Sequence, residues 1–376
     1  MNCCRGCGNR QLSRALDLGS MPAADNFPPA SQPVESAEIT HALAMDVCRR
    51  CGLAQLADDD TVTDEPRGVE PRALQEQARD AVQRVAADGW LRGDTVREFG
   101  SPHGGSWVSL LTARGFGATP DTPADVVLDS FGLMHEPDQR AAFRRRADAM
   151  APGGVLLVQF HSLAAIVRLG QWNALRHGHF AYYSLTALAR LMRGAGLAAV
   201  KAWEFDLYGG TLLVAAVRGE AEPEAEPDDS VRAILASEAA QGITEPETVV
   251  VLQACADRHV EGLRRWLVEQ SEAGLLVMAY GAASRAVAVF SRARLDSALL
   301  AGVADAAPAK QGRRMPGTDI PIVSPGELLE ADPDRVLLTL PDLLPEVRAR
   351  FPQLDGRWWI DTGGLGGPSR PEEPTV

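Results

Sequence analysis

Apolar residues recur along the chain with two different spacings, and each spacing predicts a type of secondary structure. Over 73–90 they return every three to four residues, which is typical of an amphipathic helix. Short runs rich in valine and leucine at 95–100, 124–131, 155–159 and 275–280 predict buried strands. Because helical patterns alternate with these strands, we expect an α/β fold built on doubly wound sheets.

Two of the strands run directly into glycine-containing turns that precede helices. The strand at 95–100 leads through Gly100 and Gly104 into a helix at 107–114, and the strand at 275–280 enters a similar turn. In doubly wound folds, such turns bring backbone N–H groups close to a ligand. The sequence therefore predicts two units of this kind, the second of them Rossmann-like.

The first unit is shorter than such folds normally are. A strand-like piece at 116–120 is followed almost at once by the strand at 124–131, whereas a crossover helix takes about ten or more residues between parallel strands. The pattern resumes with a helix at 139–150, a turn at 152–154 and an antiparallel hairpin within 198–217. We therefore expect a shortened central sheet from which a crossover helix is missing.

Composition argues against several classes of partner. The formal net charge of −13 disfavours nucleic acid or an anionic membrane. The sequence shows no apolar run of about 18 residues, the length of a membrane span, and no signal segment at its start. We therefore expect a cytoplasmic protein, and the sequence leaves the oligomeric state open, a monomer included.

Four of the six cysteines form two C-x-x-C pairs, Cys4 with Cys7 and Cys48 with Cys51. Two such pairs predict a tetrahedral four-thiolate zinc site, with Cys3 as an alternative to Cys4. A closed set of four sulfurs leaves no position for water, so we expect this zinc to be structural. The alternative, a redox dithiol, lacks the βαβ context in which such dithiols occur.

Two polar clusters are candidates for chemistry. The stretch 176–184 places His177 and His179 among aromatic and hydroxyl side chains, a pattern that suits a general base beside a polar, sugar-sized ligand. The glycine loop with Lys310 and Arg313 is basic in a chain with only two lysines, and it predicts an anion site, such as one for a diphosphate. In each case the alternative is a solvated structural loop.

Further motifs lie between these clusters. They are Leu16-Asp-Leu-Gly19, Glu98-x-Gly100-x-x-x-Gly104, Leu133-Met-His135, Pro152-Gly-Gly154, His177-x-His179-x-x-Tyr182-x-Ser184, Gly209-Gly210, Tyr280-Gly-Ala-Ala-x-Arg285, Lys310-Gln-Gly-Arg313 and Pro316-Gly-Thr. Together with the cysteine pairs, this order of motifs resembles the zinc-containing C-methyltransferases of nucleotide-linked deoxysugars. The resemblance covers nearly the whole chain.

The resemblance implies a chain in three parts with a short tail. The parts are an N-terminal zinc ribbon at 1–57, a methyltransferase-like domain with its linker and lead-in helix at 58–218, a C-terminal Rossmann-like nucleotide-sugar domain at 219–362, and a flexible tail at 363–376.

The resemblance also implies a mechanism and a site. A base removes the proton beside the carbonyl of a keto sugar, and the carbanion attacks the methyl group of S-adenosylmethionine. His179 matches that base and His135 a histidine that stabilises the enolate, with His177 and Tyr182 in the same catalytic cluster. The positions expected to bind the methyl donor are Glu98, Gly100, Gly104, Asp121 and Asp129. Those expected to bind the substrate, a dTDP-linked keto-deoxysugar, are Arg176, Tyr208, Arg285, Lys310 and Arg313.

The chain departs from the family beside the base and on the donor side. Residues 176–179 read Arg-His-Gly-His, whereas the family usually has Tyr-His-Glu-His. Thr119 stands where an acid normally binds the ribose of the donor, and the segment that covers the adenine is missing after Pro120. These departures leave the binding of S-adenosylmethionine open.

Three functions are consistent with these residues. The departures favour epimerisation or isomerisation of a nucleotide-linked keto sugar without the methyl donor. The second is a genuine S-adenosylmethionine-dependent sugar C-methyltransferase with a rebuilt donor pocket. The third is a non-catalytic homologue that binds a nucleotide sugar or a partner enzyme.

Overall fold

The computed structural model confirms the expected α/β class and contains three β-sheets. Gly104, part of the predicted linker and part of the predicted tail lie outside the described residues. The structure describes residues 3–61, 70–100, 105–219, 226–363 and 366–371.

Strands and helices alternate through most of the described chain. The N-terminal part contains β1 (Leu12–Met21), β2 (His41–Cys48) and β3 (Ala54–Leu56). The central part contains α1 (Arg72–Ala87), β4 (Thr95–Phe99), α2 (Val108–Thr112), β5 (Gly117–Ala118), β6 (Ala124–Ser130), α3 (Gln139–Asp148), β7 (Met150–His161), α4 (Leu163–Arg168), β8 (Ala181–Tyr182), α5 (Leu185–Gly194), β9 (Leu197–Phe205) and β10 (Thr211–Arg218). The C-terminal part contains α6 (Asp229–Gln241), α7 (Pro246–Val249), α8 (Val251–Glu272), β11 (Val277–Tyr280), α9 (Ser284–Arg292), β12 (Val303–Ala304), β13 (Ile322–Val323), α10 (Pro325–Glu330), β14 (Arg335–Leu338), α11 (Leu344–Arg350) and β15 (Trp358–Ile360).

The N-terminal sheet has the strand order β1-β2-β3-β8 and is antiparallel. Its last strand comes from the predicted central domain, because Tyr182 in β8 pairs with Ala54 in β3. Backbone hydrogen bonds therefore cross the predicted boundary at residue 57. They attach the loop before β8, which carries both histidines of the 176–184 cluster, to the N-terminal sheet.

The central sheet has the order β5-β4-β6-β7-β10-β9, parallel from β5 to β7 and antiparallel in the β9–β10 hairpin. The missing crossover helix is confirmed, because residues 119–123 alone separate β5 from β6 and none of them is helical. The two residues of β5 pair with Thr95 and Val96. β5 therefore ends near the amino end of β4.

The turn predicted from Pro152 to Gly154 is wrong, because β7 runs straight through it. Gly153 has a positive φ of 73°, and the pairing of β6 with β7 shifts register between Ala124 and Val126. A Cβ atom on Gly154 would lie 3.0 Å from the carbonyl oxygen of Ala124. These glycines therefore form a bulge that brings the two strands close together.

The C-terminal sheet is parallel, with the order β13-β12-β11-β14-β15 that a Rossmann-like unit requires. Its helices α8 and α9 share a hydrophobic core with β1 and β2. Within the predicted tail, Ser369 pairs with Ile360 at the end of β15. Gly262 in α8 permits this packing, since a Cβ there would lie 2.6 Å from the nitrogen of Gly367.

None of the helices in the described ranges combines the length and the apolar character that a membrane span requires.

Candidate active site

A cavity lies where the carboxyl ends of β4, β6 and β7 face the C-terminal part of the chain. In open α/β sheets, ligands bind outside the carboxyl ends of the strands. The cavity is therefore the candidate active site. Its polar lining includes His161, Arg176, His179, Tyr208, Arg285 and Lys310.

His179 lies in the cavity wall, and His135 packs directly behind it. The two imidazole centroids are 4.5 Å apart, with the rings at 83° to each other. Burial, together with the charge of Arg176, lowers the pKa of His135 to about 4, so its imidazole is neutral at physiological pH. His135 does not line the cavity itself. Its position therefore suits support of His179 better than the expected direct contact with a substrate oxygen.

Arg176 determines the protonation of the candidate base. Its Nε atom lies 2.7 Å from Nε2 of His179. A guanidinium N–H can only donate, so Nε2 of His179 must accept and its imidazole must be neutral in this arrangement. An unprotonated imidazole nitrogen is the form that proton abstraction requires.

His177 faces the opposite side of the loop. Its ring is buried against the N-terminal sheet, with Nε2 3.2 Å from the carbonyl oxygen of Ala42 and its centroid 5.9 Å from that of His41. Burial lowers the pKa of His177, so this contact involves a neutral imidazole. Unlike His179, His177 does not line the cavity. The structure thus brings His135, but not His177, together with His179.

Tyr182 lines the cavity but is engaged with the loop backbone. Its hydroxyl oxygen accepts a hydrogen bond of 3.1 Å from the backbone nitrogen of Arg176. Burial raises the pKa of Tyr182, so the phenol stays protonated. A second hydrogen bond of 2.7 Å, from the nitrogen of Gly178 to the carboxylate of Asp59, holds the loop to the N-terminal part. Tyr182 and Asp59 therefore fix the position of Arg176 and His179.

Asp121 comes after a strand that ends early. β5 ends opposite Val96, while β4 continues for three residues to Phe99, about 10 Å farther at the usual rise of a strand. The nitrogen of Thr119 still donates to the carbonyl of Val96, and Asp121, two residues later, is exposed. The ribose contact expected of Asp121 stays a prediction.

Asp129 reaches the correct edge but is already paired. Its carboxylate lies 2.8 Å from the guanidinium of Arg146, and both side chains are at most 2% exposed. The backbone nitrogens of Gly132 and Leu133 donate two further bonds of 2.9 Å to the same carboxylate. These contacts assign Asp129 to the packing of the sheet edge, and not to a ligand.

Two acidic side chains lie beside the described residues that follow the first glycine turn. The carboxylate of Glu98 accepts hydrogen bonds from the hydroxyl of Ser106, at 2.5 Å, and from the nitrogen of Trp107, at 2.7 Å. A Cβ on Gly105 would lie 2.4 Å from Oε1 of Glu70, so that carboxylate lies directly against Gly105. Gly100 follows β4 and is exposed.

Two of the acids expected to bind S-adenosylmethionine, Glu98 and Asp129, are hydrogen-bonded within the protein. Their contact with the methyl donor stays a prediction.

On the substrate side, Tyr208 and Arg285 meet at the junction of the central and C-terminal parts. The guanidinium carbon of Arg285 lies 5.3 Å from the centroid of the Tyr208 ring. The backbone of Tyr208 is strained, with a positive φ of 57°. Its nitrogen donates a hydrogen bond of 3.3 Å to the carboxylate of Asp342, which holds this conformation. The two predicted residues thus lie together in the cavity, beside an acid that the sequence did not indicate.

The two predicted cations of the basic loop have different environments. Lys310 lines the cavity, where its ammonium donates a hydrogen bond of 2.9 Å to the carbonyl of Ala282 and lies 5.0 Å from the centroid of Phe27. Arg313 instead donates to the carbonyl oxygens of Phe27 and Ala309, at 2.6 and 2.9 Å, outside the cavity. The expected substrate contact of Arg313 is therefore replaced by a link to the N-terminal part.

Several polar residues of the cavity were not predicted from the sequence, and His161 and Asp342 are two of them. His161 directly follows the apolar run that forms the end of β7. A polar residue at the carboxyl end of a buried parallel strand is a signal that could have identified it. Asp342 follows β14 in a loop without such a pattern, and only the folded chain brings it to Tyr208.

The four paired cysteines meet at one point, as the sequence predicted. Each offers a sulfur, and all four sulfurs lie within 4.8 Å of one another. The Cys4–Cys51 and Cys7–Cys48 sulfurs are each 3.5 Å apart, close to the roughly 3.8 Å that a tetrahedral zinc with 2.3 Å bonds requires. The residues therefore fit a structural zinc ion.

Comparison with known families assigns all three parts. Residues 4–63 match a zinc binding domain, residues 77–202 a methyltransferase domain, and residues 206–358 a C-methyltransferase C-terminal domain. In this order the matches span nearly the whole chain, and they agree with the resemblance to zinc-containing C-methyltransferases that the motifs carry.

The chain is also similar to individual proteins. The chain is 28% identical over 383 residues to the C-methyltransferase NovU of Streptomyces niveus, an alignment that covers 92% of this chain and 90% of the relative. Among solved structures, the mitomycin 7-O-methyltransferase MmcR shares 21% identity over 39% of this chain and 56% of its own, with a TM-score of 0.28. Magnesium protoporphyrin IX methyltransferase of Synechocystis PCC 6803 shares 14% over 39% and 80%, with a TM-score of 0.30.

Proposed function

We propose that this protein binds a nucleotide-linked keto-deoxysugar of the dTDP type and epimerises or isomerises it without a methyl donor. The observation that carries the proposal is the pairing of His179 with Arg176 in the wall of the cavity. On the donor side, Glu98 lines the cavity but is hydrogen-bonded to Trp107, and Asp129 is buried against Arg146. The base is retained, whereas the groups expected to hold the donor are committed elsewhere.

The chemistry begins with the carbonyl oxygen of the sugar taking the hydrogen bond that Arg176 gives to His179. Nε2 of His179 is then free to remove the proton from the neighbouring carbon. The electron pair of that C–H bond forms a carbon–carbon double bond, the π pair of the carbonyl moves to its oxygen, and the guanidinium stabilises the enolate. Return of a proton to the opposite face of the same carbon gives an epimer. Return to the former carbonyl carbon, with transfer of the neighbouring hydroxyl proton to the enolate oxygen, gives an isomer.

The second candidate is methyl transfer from S-adenosylmethionine to the same carbanion. Its support is the relationship to the C-methyltransferase NovU over most of both chains. The two candidates share the proton abstraction and differ only in what traps the carbanion, so a test of the base applies to both.

The test is exchange of solvent deuterium into a dTDP-4-keto sugar, followed by mass spectrometry and NMR. The wild-type protein should incorporate deuterium beside the carbonyl without added S-adenosylmethionine, and His179→Ala should abolish this incorporation. His41→Gln is the matched control, because His41 lies outside the cavity and should leave exchange unchanged. Exchange that persists in His179→Ala would remove His179 from this role, and no exchange in the wild type would favour a binding protein.

A further inference from the structure

His161 is a buried cavity residue with an unused hydrogen-bonding atom. It ends β7 at the carboxyl edge of the central sheet, lines the cavity and is 9% exposed. Its Nε2 atom has no hydrogen-bond partner within the ranges that the structure describes. Buried polar atoms are nearly always paired, so an unpaired nitrogen in a cavity wall indicates a ligand group that completes it.

The surroundings of His161 limit what that ligand group can be. Its ring centroid lies 6.0 Å from that of Tyr208, on which Arg285 also packs. Burial, with the charge of Arg285, lowers the pKa of His161 to about 3. The imidazole is therefore neutral at physiological pH, and its unpaired Nε2 atom can form one hydrogen bond with a hydroxyl group, which is able both to donate and to accept.

Two other residues of the same cavity are better candidates than His161 for binding an anion. Arg285 and Lys310 both lie on the C-terminal side and carry a positive charge, which the neutral ring of His161 lacks. His161 belongs to the central sheet, as does the strand edge beside the candidate base. A diphosphate therefore fits the cations, and the position of His161 fits the sugar.

We propose that His161 determines substrate specificity by a hydrogen bond between Nε2 of its imidazole and a hydroxyl group of the sugar. This inference rests on the proposed function, because it requires a nucleotide sugar in the cavity. Loss of the contact leaves a buried hydroxyl without its partner, so removal of the imidazole should weaken binding of the sugar by about tenfold.

The experiment compares dTDP with a dTDP-4-keto sugar by calorimetric titration of the full chain. We expect His161→Leu to weaken binding of the sugar nucleotide about tenfold and to leave dTDP binding within twofold. His161→Gln places an amide near Nε2 and should restore most of the affinity. Because dTDP binding also reports an intact fold, a folding defect would appear in both titrations.

Three results would overturn the inference, and they can be told apart. Unchanged sugar affinity in His161→Leu would exclude the contact while leaving the proposed function standing. Equal losses for dTDP and the sugar nucleotide in both variants would show that His161 supports the fold or the nucleotide site. Failure of the wild type to bind the sugar nucleotide would reject the proposed function together with the inference.

Discussion

Replacing Asp129 by asparagine should destabilise the protein strongly, and it separates a structural from a donor-binding role. The carboxylate of Asp129 neutralises Arg146, whose side chain is 2% exposed. Removing one partner of a buried ion pair costs about 3–5 kcal/mol, because the remaining charge is left uncompensated. Glu136 stays 2.8 Å from the same guanidinium, so the expected loss lies near the lower limit, about 3 kcal/mol.

The assay is thermal unfolding, followed by circular dichroism at pH 7. For a domain of this size, about 3 kcal/mol corresponds to a fall in melting temperature of roughly 6–12 °C. Asp121→Asn is the matched control, since the exposed Asp121 forms no ion pair within the described chain. This control should melt with the wild type.

A small effect would refute the reasoning. If Asp129→Asn melted within about 2 °C of the wild type, the buried pair with Arg146 could not have the assumed cost. If the same variant instead lost binding of S-adenosylmethionine, Asp129 would be a donor ligand, as the family resemblance implies.

Two further predictions concern the zinc site and acid stability. Chelation of zinc should lower the melting temperature and readdition should restore it, because Cys4, Cys48 and Cys51 share a hydrophobic core with the central helices. An unchanged melting temperature after verified loss of the metal would contradict this. Stability should fall as the pH drops from 6.5 towards 4, because His135 has a folded pKa of about 4 and the unfolded chain binds its proton first. The free energy of unfolding, measured by urea titration at each pH, should fall less steeply with decreasing pH in His135→Gln than in the wild type.

Elements with a local signal could be predicted from the sequence. The cysteine spacing sufficed for the zinc site, because two tight turns suffice to bring four sulfurs together. The strand, turn and helix after Thr95, and the missing helix after Pro120, followed from the lengths of the apolar runs alone. The turn predicted at 152–154 was wrong, because glycines favour a bulge within a strand as well as a turn.

Side-chain partners that are distant along the chain could not be predicted. Asp129 was expected to bind a ligand. In the folded chain its carboxylate forms an ion pair with Arg146, which lies in helix α3. Arg313 was expected at a diphosphate, yet it binds the backbone of Phe27 in another part of the chain. β5 ends opposite Val96, before β4 ends, and the position of Asp121 follows from this. The composition of the chain does not reveal where a strand ends.

The central claim is that the cavity acts on a nucleotide-linked keto sugar without a methyl donor. Calorimetric titration of the wild-type protein with S-adenosylmethionine, with and without a dTDP-4-keto sugar, tests it most directly. The claim predicts saturable binding of the sugar nucleotide and no saturable binding of S-adenosylmethionine at micromolar concentration. Saturable micromolar binding of S-adenosylmethionine would contradict it and favour methyl transfer.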